Sequence, residues 1–170
     1  MEFQENPLVG RILALDVGKK RIGLALSDPM GITAQGLPTL YRTTIREDLA
    51  ALDELVRSRE VKLLLVGHPL NMSGTEGRQA VYTKEFAERL RERTDVGIRY
   101  WDERLTSVEA GRVLRSSGIS IEKRAKAVDQ LSAVLLLESF LDFGRGGAAE
   151  QVQSDEIQGD GHQGDEVPRD

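Results

Sequence analysis

Residues 12–27 read ILALDVGKKRIGLALS, two apolar runs of strand length on either side of Gly18-Lys19-Lys20-Arg21. That separation is hairpin distance, so 12–17 and 22–27 are expected to pair antiparallel. Asp28-Pro29-Met30-Gly31 comes next as a turn, with proline and glycine fixing the backbone, and 33–40 makes a third strand. The chain therefore opens as a three-stranded meander whose first strand ends on a carboxylate, Asp16.

Downstream the period changes. Ile45, Leu49, Leu52 and Val56 recur at helical spacing behind a capping box of Thr44 and Glu47. The unbroken apolar run 61–66, ended by Gly67, reads as a strand buried on both faces of a parallel sheet. A second helix carries Tyr82, Phe86, Ala87 and Leu90 on one stripe, and 98–102 is a fifth strand. Thr106 and Glu109 supply a capping box for a short helix ending near Gly118, and Ser120 can cap the next segment. The last helix, 126–143, is apolar nearly all round at 133–137 and is expected to be deeply packed. The order βββαβαβαα joins a meander to two right-handed crossovers. It predicts an α/β fold, a mixed five-stranded sheet with helices on both faces. That is the element order of the ribonuclease H-like architecture, although periodicity alone accommodates other α/β folds.

Composition bounds the function. The 170 residues and 39% hydrophobic content suit one domain. The absence of cysteine excludes disulfides, thiol catalysis and cysteine-based zinc sites, and fits a reduced cytoplasm. No apolar run is long enough to span a bilayer and the N-terminus lacks a basic leader, so neither membrane nor export is expected. The net charge of −5 is unevenly placed: from Gly144 onward seven acidic residues face two arginines, leaving 1–143 balanced at 21 of each sign. Residues 144–170 also hold six of the 17 glycines. A folded domain over 1–143 with an acidic, glycine-rich, disordered tail is expected.

Three acidic positions carry the chemistry: Asp16 at the end of the first strand, the pair Asp102-Glu103 at the end of the fifth, and Asp129 inside the last helix. Carboxylates where burial is expected are costly unless neutralised, and the natural partner of a cluster is a divalent cation. Taken singly, Asp16 reads equally as a turn former and Asp129 as a favourable charge near a helix N-terminus. A phosphate loop of the sugar-kinase type also resembles the Asp16 segment, but such kinases need two domains of this size. Strand alternation sends Asp102 and Glu103 to opposite faces, and Glu103 is expected to reach the common site, with Asp102 as fallback. Asp129 has small neighbours, Ala125, Ser132 and Ala133, which allow close approach to the sheet.

Around these lie polar and basic residues. The loop Gly67-His68-Pro69-Leu70-Asn71-Met72-Ser73-Gly74 lacks the ending of a Walker motif, yet its amides, Asn71 and Ser73 could face a phosphate oxygen. Lys19, Arg21, Arg104 and Lys126 are candidates for phosphate contacts, which set register without reading bases.

Four segments together, Asp16-Val17-Gly18 with Arg21-Ile22-Gly23, Pro69-Leu70-Asn71-Met72-Ser73-Gly74, Asp102-Glu103-Arg104-Leu105-Thr106 and Lys126-Ala127-Val128-Asp129, resemble the YqgF family in order and over residues 11–143. The resemblance implies a ribonuclease H-type, Holliday junction resolvase-like fold. It also implies a cytoplasmic nuclease maturing the 5′ end of 16S ribosomal RNA, with Asp16, Glu103 and Asp129 binding Mg²⁺ or Mn²⁺. One departure is visible, His68 where the family usually has leucine between glycine and proline. The partner is then nucleic acid, pre-16S RNA first, with branched or single-stranded DNA as the rival. Resolution of branched DNA would favour a homodimer presenting two sites. A non-catalytic nucleic-acid or ribosome-associated module is the third reading. It has no need for three placed carboxylates.

Overall fold

The computed structural model describes residues 10–71, 73–103, 120, 127–128 and 130–144. Five strands, β1 (Arg11–Val17), β2 (Arg21–Ser27), β3 (Ala34–Tyr41), β4 (Val61–His68) and β5 (Gly97–Asp102), form one sheet in the order β3-β2-β1-β4-β5. The meander pairs antiparallel, and β4 and β5 add in parallel on the other side of β1. Helices α1 (Ile45–Ser58) and α2 (Arg78–Thr94) make the crossovers, and a further helix runs over 130–144. The mixed five-stranded sheet and the sequence of elements as far as β5 are those expected. The short helix expected after Thr106 lies outside the described residues.

Strand alternation divides the core in two. Leu13, Leu15 and Val17 of β1 join Leu64 and Val66 of β4 beneath Leu49, Leu52 and Val56 of α1 and Phe86, Ala87 and Leu90 of α2. The alternate residues, Ile12, Ala14, Ala25 and Leu65, pack instead on Ala133, Leu136, Leu137 and Leu141 of the final helix. Trp101 docks there too, stacking edgewise on Phe140 and Phe143 and donating from Nε1 to Ser139 Oγ at 3.1 Å. β1 is buried on both faces, which explains its unbroken hydrophobicity. Beyond Arg11 at its start, Asp16 is its one polar residue.

Two local readings are refined. Thr44 Oγ1 does accept from the Glu47 amide at 3.2 Å, but the Glu47 carboxylate pairs with the Thr43 hydroxyl, so the cap is shared between two threonines. Gly67 does not end β4. It lies inside the strand, paired with Trp101 of β5, and His68 continues the ladder opposite Asp102.

Candidate carboxylate site

The site forms where β1 and β5 end on the face covered by the final helix. Asp16 follows Ile12 and Ala14 in side-chain phase and so belongs to that face. Its partner across the β1–β2 ladder is Gly23. On the other side Leu15 pairs with Val66, so Gly67 follows in register beside Asp16. Glycine on both flanks leaves a hollow in an otherwise packed surface.

Glu103 fills that hollow. It follows β5 immediately, and its side chain leans across β4 over the bare Cα of Gly67. A Cβ at position 67 would stand 2.8 Å from Glu103 Cγ and 3.0 Å from Cδ. The carboxyl thereby reaches Asp16 and is hydrogen-bonded to it. Glycine inside a strand often marks such a close approach.

The electrostatic consequence is large. Burial, then the Asp16 charge and hydrogen bond, then the Asp102 charge push the Glu103 carboxyl up to about 9. At neutral pH Glu103 therefore keeps its proton and donates it to Asp16. A carboxyl held in its neutral form is what results when a fold forces it against another acidic group. The same arrangement of hard oxygen donors suits a magnesium or manganese ion, which would replace the proton. Among the described residues no group of three or more metal-binding side chains assembles. Asp129, Arg104 and Lys126 lie outside those residues. Asp102 lies opposite His68 in the ladder and acts on Glu103 through its charge.

The final helix also rests on the edge strand β3. Gln130 packs against Gly36 of β3 so tightly that a Cβ there would fall 2.6 Å from Gln130 Cγ. Ala133, one turn later, is fully buried on Ile12, Ala14 and Ala25.

The other expected polar residues are distributed around the strand ends. Lys19 is exposed in the β1–β2 turn, and Arg21 opens β2 opposite Tyr41. Asn71 and Ser73 both bond Thr75, through Nδ2 to Oγ1 at 3.2 Å and hydroxyl to hydroxyl at 2.9 Å, closing the loop after β4 on itself. His68 is a structural residue on the opposite face: it is 8% exposed, bonds Glu76 Oε1 at 3.1 Å and meets the Tyr100 ring edgewise. Arg42 is the residue that sequence reasoning missed. Its guanidinium bonds Asp48 Oδ2 at 2.9 Å, the Gly18 carbonyl at 2.9 Å and the Tyr82 hydroxyl at 2.6 Å, tying α1 and α2 to the turn that follows Asp16. Only its place at the end of a strand, before a helix cap, hinted at this.

A strand order of this kind, with acidic residues meeting at the ends of the first and last strands, defines the ribonuclease H-like class. The fold match to a solved structure, T. thermophilus RuvC in complex with Holliday junction substrate, has a TM-score of 0.52 at 13% identity, covering 81% of this chain and 96% of that one. Within that class the chain belongs to the family described as "RuvX: Holliday junction resolvase", whose model matches residues 10–143. A relative from Koribacter versatilis is 54% identical over 133 residues, 78% of this chain and 87% of its own length; it bears the name "Putative pre-16S rRNA nuclease". Another of the same name, from Syntrophomonas wolfei, is 46% identical over 134 residues, 79% of this chain and 95% of its own. Nuclease function is thus the family's, and the chain is a nuclease of that family. No helix among the described residues is long and apolar enough to cross a membrane.

Proposed function

We propose that this chain is a divalent-metal-dependent phosphodiesterase acting on RNA, in maturation of the 5′ end of 16S ribosomal RNA in the cytoplasm. The observation that carries the reading is the Glu103 carboxyl laid over Gly67 onto Asp16. A pair of carboxyls brought together at a cost in free energy is the usual mark of a reacting centre.

In this reading Asp16 and Glu103 hold Mg²⁺ or Mn²⁺ together with Asp129, which precedes the sheet-facing Ala133 by four residues in sequence. Bound there, the cation supplies Lewis-acid activation of water and of the phosphodiester. The chain's own residues do the positioning. Asp16 is fixed by a strand buried on both sides, and Glu103 by the glycine gap. A cation held there would take the place of the Glu103 proton. Lys19 and Arg21 on the turn, with Arg104 and Lys126, are proposed to hold flanking phosphates. The closed loop of Asn71 and Ser73 would present its amides to the same strand.

Pre-16S RNA as substrate is supported by the names of the relatives. The family description supports a second reading, cleavage of a four-way DNA junction by a homodimer. One assay decides between them: cleavage of pre-16S RNA, a four-way junction and single-stranded DNA with Mg²⁺, Mn²⁺ or EDTA, for wild type and Asp16→Asn. RNA cleavage that needs metal and is lost in the variant is expected. Cleavage confined to the junction would select the second reading, and activity indifferent to the substitution would defeat both.

A further inference from the structure

On the opposite, α2 face of the sheet, past the end of β1 that carries Asp16, Lys19, Arg78, Gln79 and Tyr82 line an open pocket of about 490 Å³. Two cations share it, whereas several elsewhere are paired with carboxylates. Arg42 is matched by Asp48, Arg57 and Arg93 by Asp53, Lys84 by Glu76, and Arg91 by Glu88. The side chains of Lys19 and Arg78 have no acidic or hydrogen-bonding partner among the described residues, a state they share with exposed cations such as Lys20 and Arg59, but these two line one pocket together. Two cations converge on one hollow, and no described residue neutralises them.

The other walls are donors as well. Tyr82 Oη already accepts from Arg42 Nη2 at 2.6 Å, and among the described residues its own proton has no acceptor, so it can be donated inward. Gln79 fixes the wall by donating from Nε2 to the Val17 carbonyl at 3.0 Å, one residue beyond Asp16. The first turn of α2 contains no acidic residue that would compete for the cations.

We propose that this pocket binds a backbone phosphate of the nucleic-acid strand, adjacent to the one at the carboxylates, with Arg78 as its principal contact. The proposal rests on the nuclease reading and adds the site that offsets its weakness: a pair of carboxyl groups repels a polyanion, so affinity must come from beside it. An oligonucleotide crossing the β1–β2 turn passes from Asp16 to Lys19 within three residues of chain. A phosphodiester matches two cations and a hydroxyl donor, which contact oxygens and read no bases. A free phosphate shares that chemistry and is separated by experiment.

The test is binding of a short labelled RNA by fluorescence anisotropy in EDTA, across a series of salt concentrations, with no cleavage to confound it. Each phosphate contact contributes about 0.7 to 0.9 to the slope of log affinity against log salt. Arg78→Ala and Lys19→Ala should each lower the slope by about that much. Arg78→Lys should keep it, as should Arg59→Ala, an exposed cation at the end of α1. Unchanged slopes in both alanine variants would overturn the proposal. So would saturable binding of inorganic phosphate alone that is lost in Arg78→Ala while RNA binding is not. A chain that binds RNA through this pocket yet cuts nothing would refute the nuclease reading and leave the pocket standing.

Discussion

Replacing Gly67 by alanine is the sharpest perturbation of the carboxylate site, because it alters neither carboxyl chemically. The added methyl would stand 2.8 Å from Glu103 Cγ and 3.0 Å from Cδ, where carbon contacts settle at about 3.5 to 4.0 Å. Glu103 must therefore withdraw by roughly 0.5 to 1 Å. The atoms in the way belong to a side chain and not to backbone, so the fold should survive. Gly67 does not need a positive φ, and alanine restricts the unfolded chain by about 0.4 to 1 kcal/mol, which offsets part of the displacement. Net stability should stay within about 1 kcal/mol of wild type. Catalysis should not: misplacing a reacting group by about 1 Å costs on the order of 10²-fold. Single-turnover cleavage beside urea unfolding of the same preparation reads both quantities. Wild-type cleavage in a folded Gly67→Ala protein would refute the idea that this glycine sets the position of Glu103.

The shared proton makes metal-free stability depend on pH. Glu103 titrates near 9 when folded and near 4.5 when unfolded, so the folded state binds the extra proton between those values, and stability falls as pH rises through that window. In EDTA, Glu103→Gln should remove this component, so thermal melts of wild type and variant should diverge steadily from pH 5 to pH 9 in favour of the variant; parallel curves would contradict it. Asp48→Ala strands the Arg42 guanidinium, only 7% exposed, without its charge partner, and should cost about 3 to 5 kcal/mol in urea unfolding. Gly36→Ala drives a methyl to 2.6 Å from Gln130 Cγ and should cost about 1 to 3 kcal/mol while also lowering cleavage, if Asp129, the residue before Gln130 in sequence, serves the site as proposed. Loss of stability without loss of cleavage would separate that helix from the site.

The architecture was legible because two periodicities alternate cleanly along the chain, and because the β1–β2 segment has hairpin spacing. Alternation says that only one of Asp102 and Glu103 reaches the common site, Glu103 is the choice because it lies nearer the carboxyl edge of the strand, and the structure turns Glu103 onto Asp16. Gly67 was read as the end of β4 because a glycine after an apolar run is usually a terminator. Its use as a gap for a side chain from the next strand depends on a non-local neighbour. Arg42 and Arg78 escaped notice for the same reason. An isolated arginine looks the same in sequence whether it is buried against Asp48 or left open beside Lys19. Asn71 and Ser73 were legible as loop polar groups, but their partner, Thr75, is fixed only by the turn the loop adopts.

Asp16 and Glu103 are proposed to form one cation site in place of their shared proton, and the rest of the chemistry depends on it. Calorimetric titration of Mn²⁺ into wild type, Asp16→Asn and Glu103→Gln at neutral pH, without nucleic acid, tests this directly. Wild type should bind saturably and release close to one proton per site, seen as a dependence of the heat on buffer ionisation, and either substitution should weaken binding at least about tenfold. Equal Mn²⁺ affinity in all three proteins, or binding with no proton released, would contradict it.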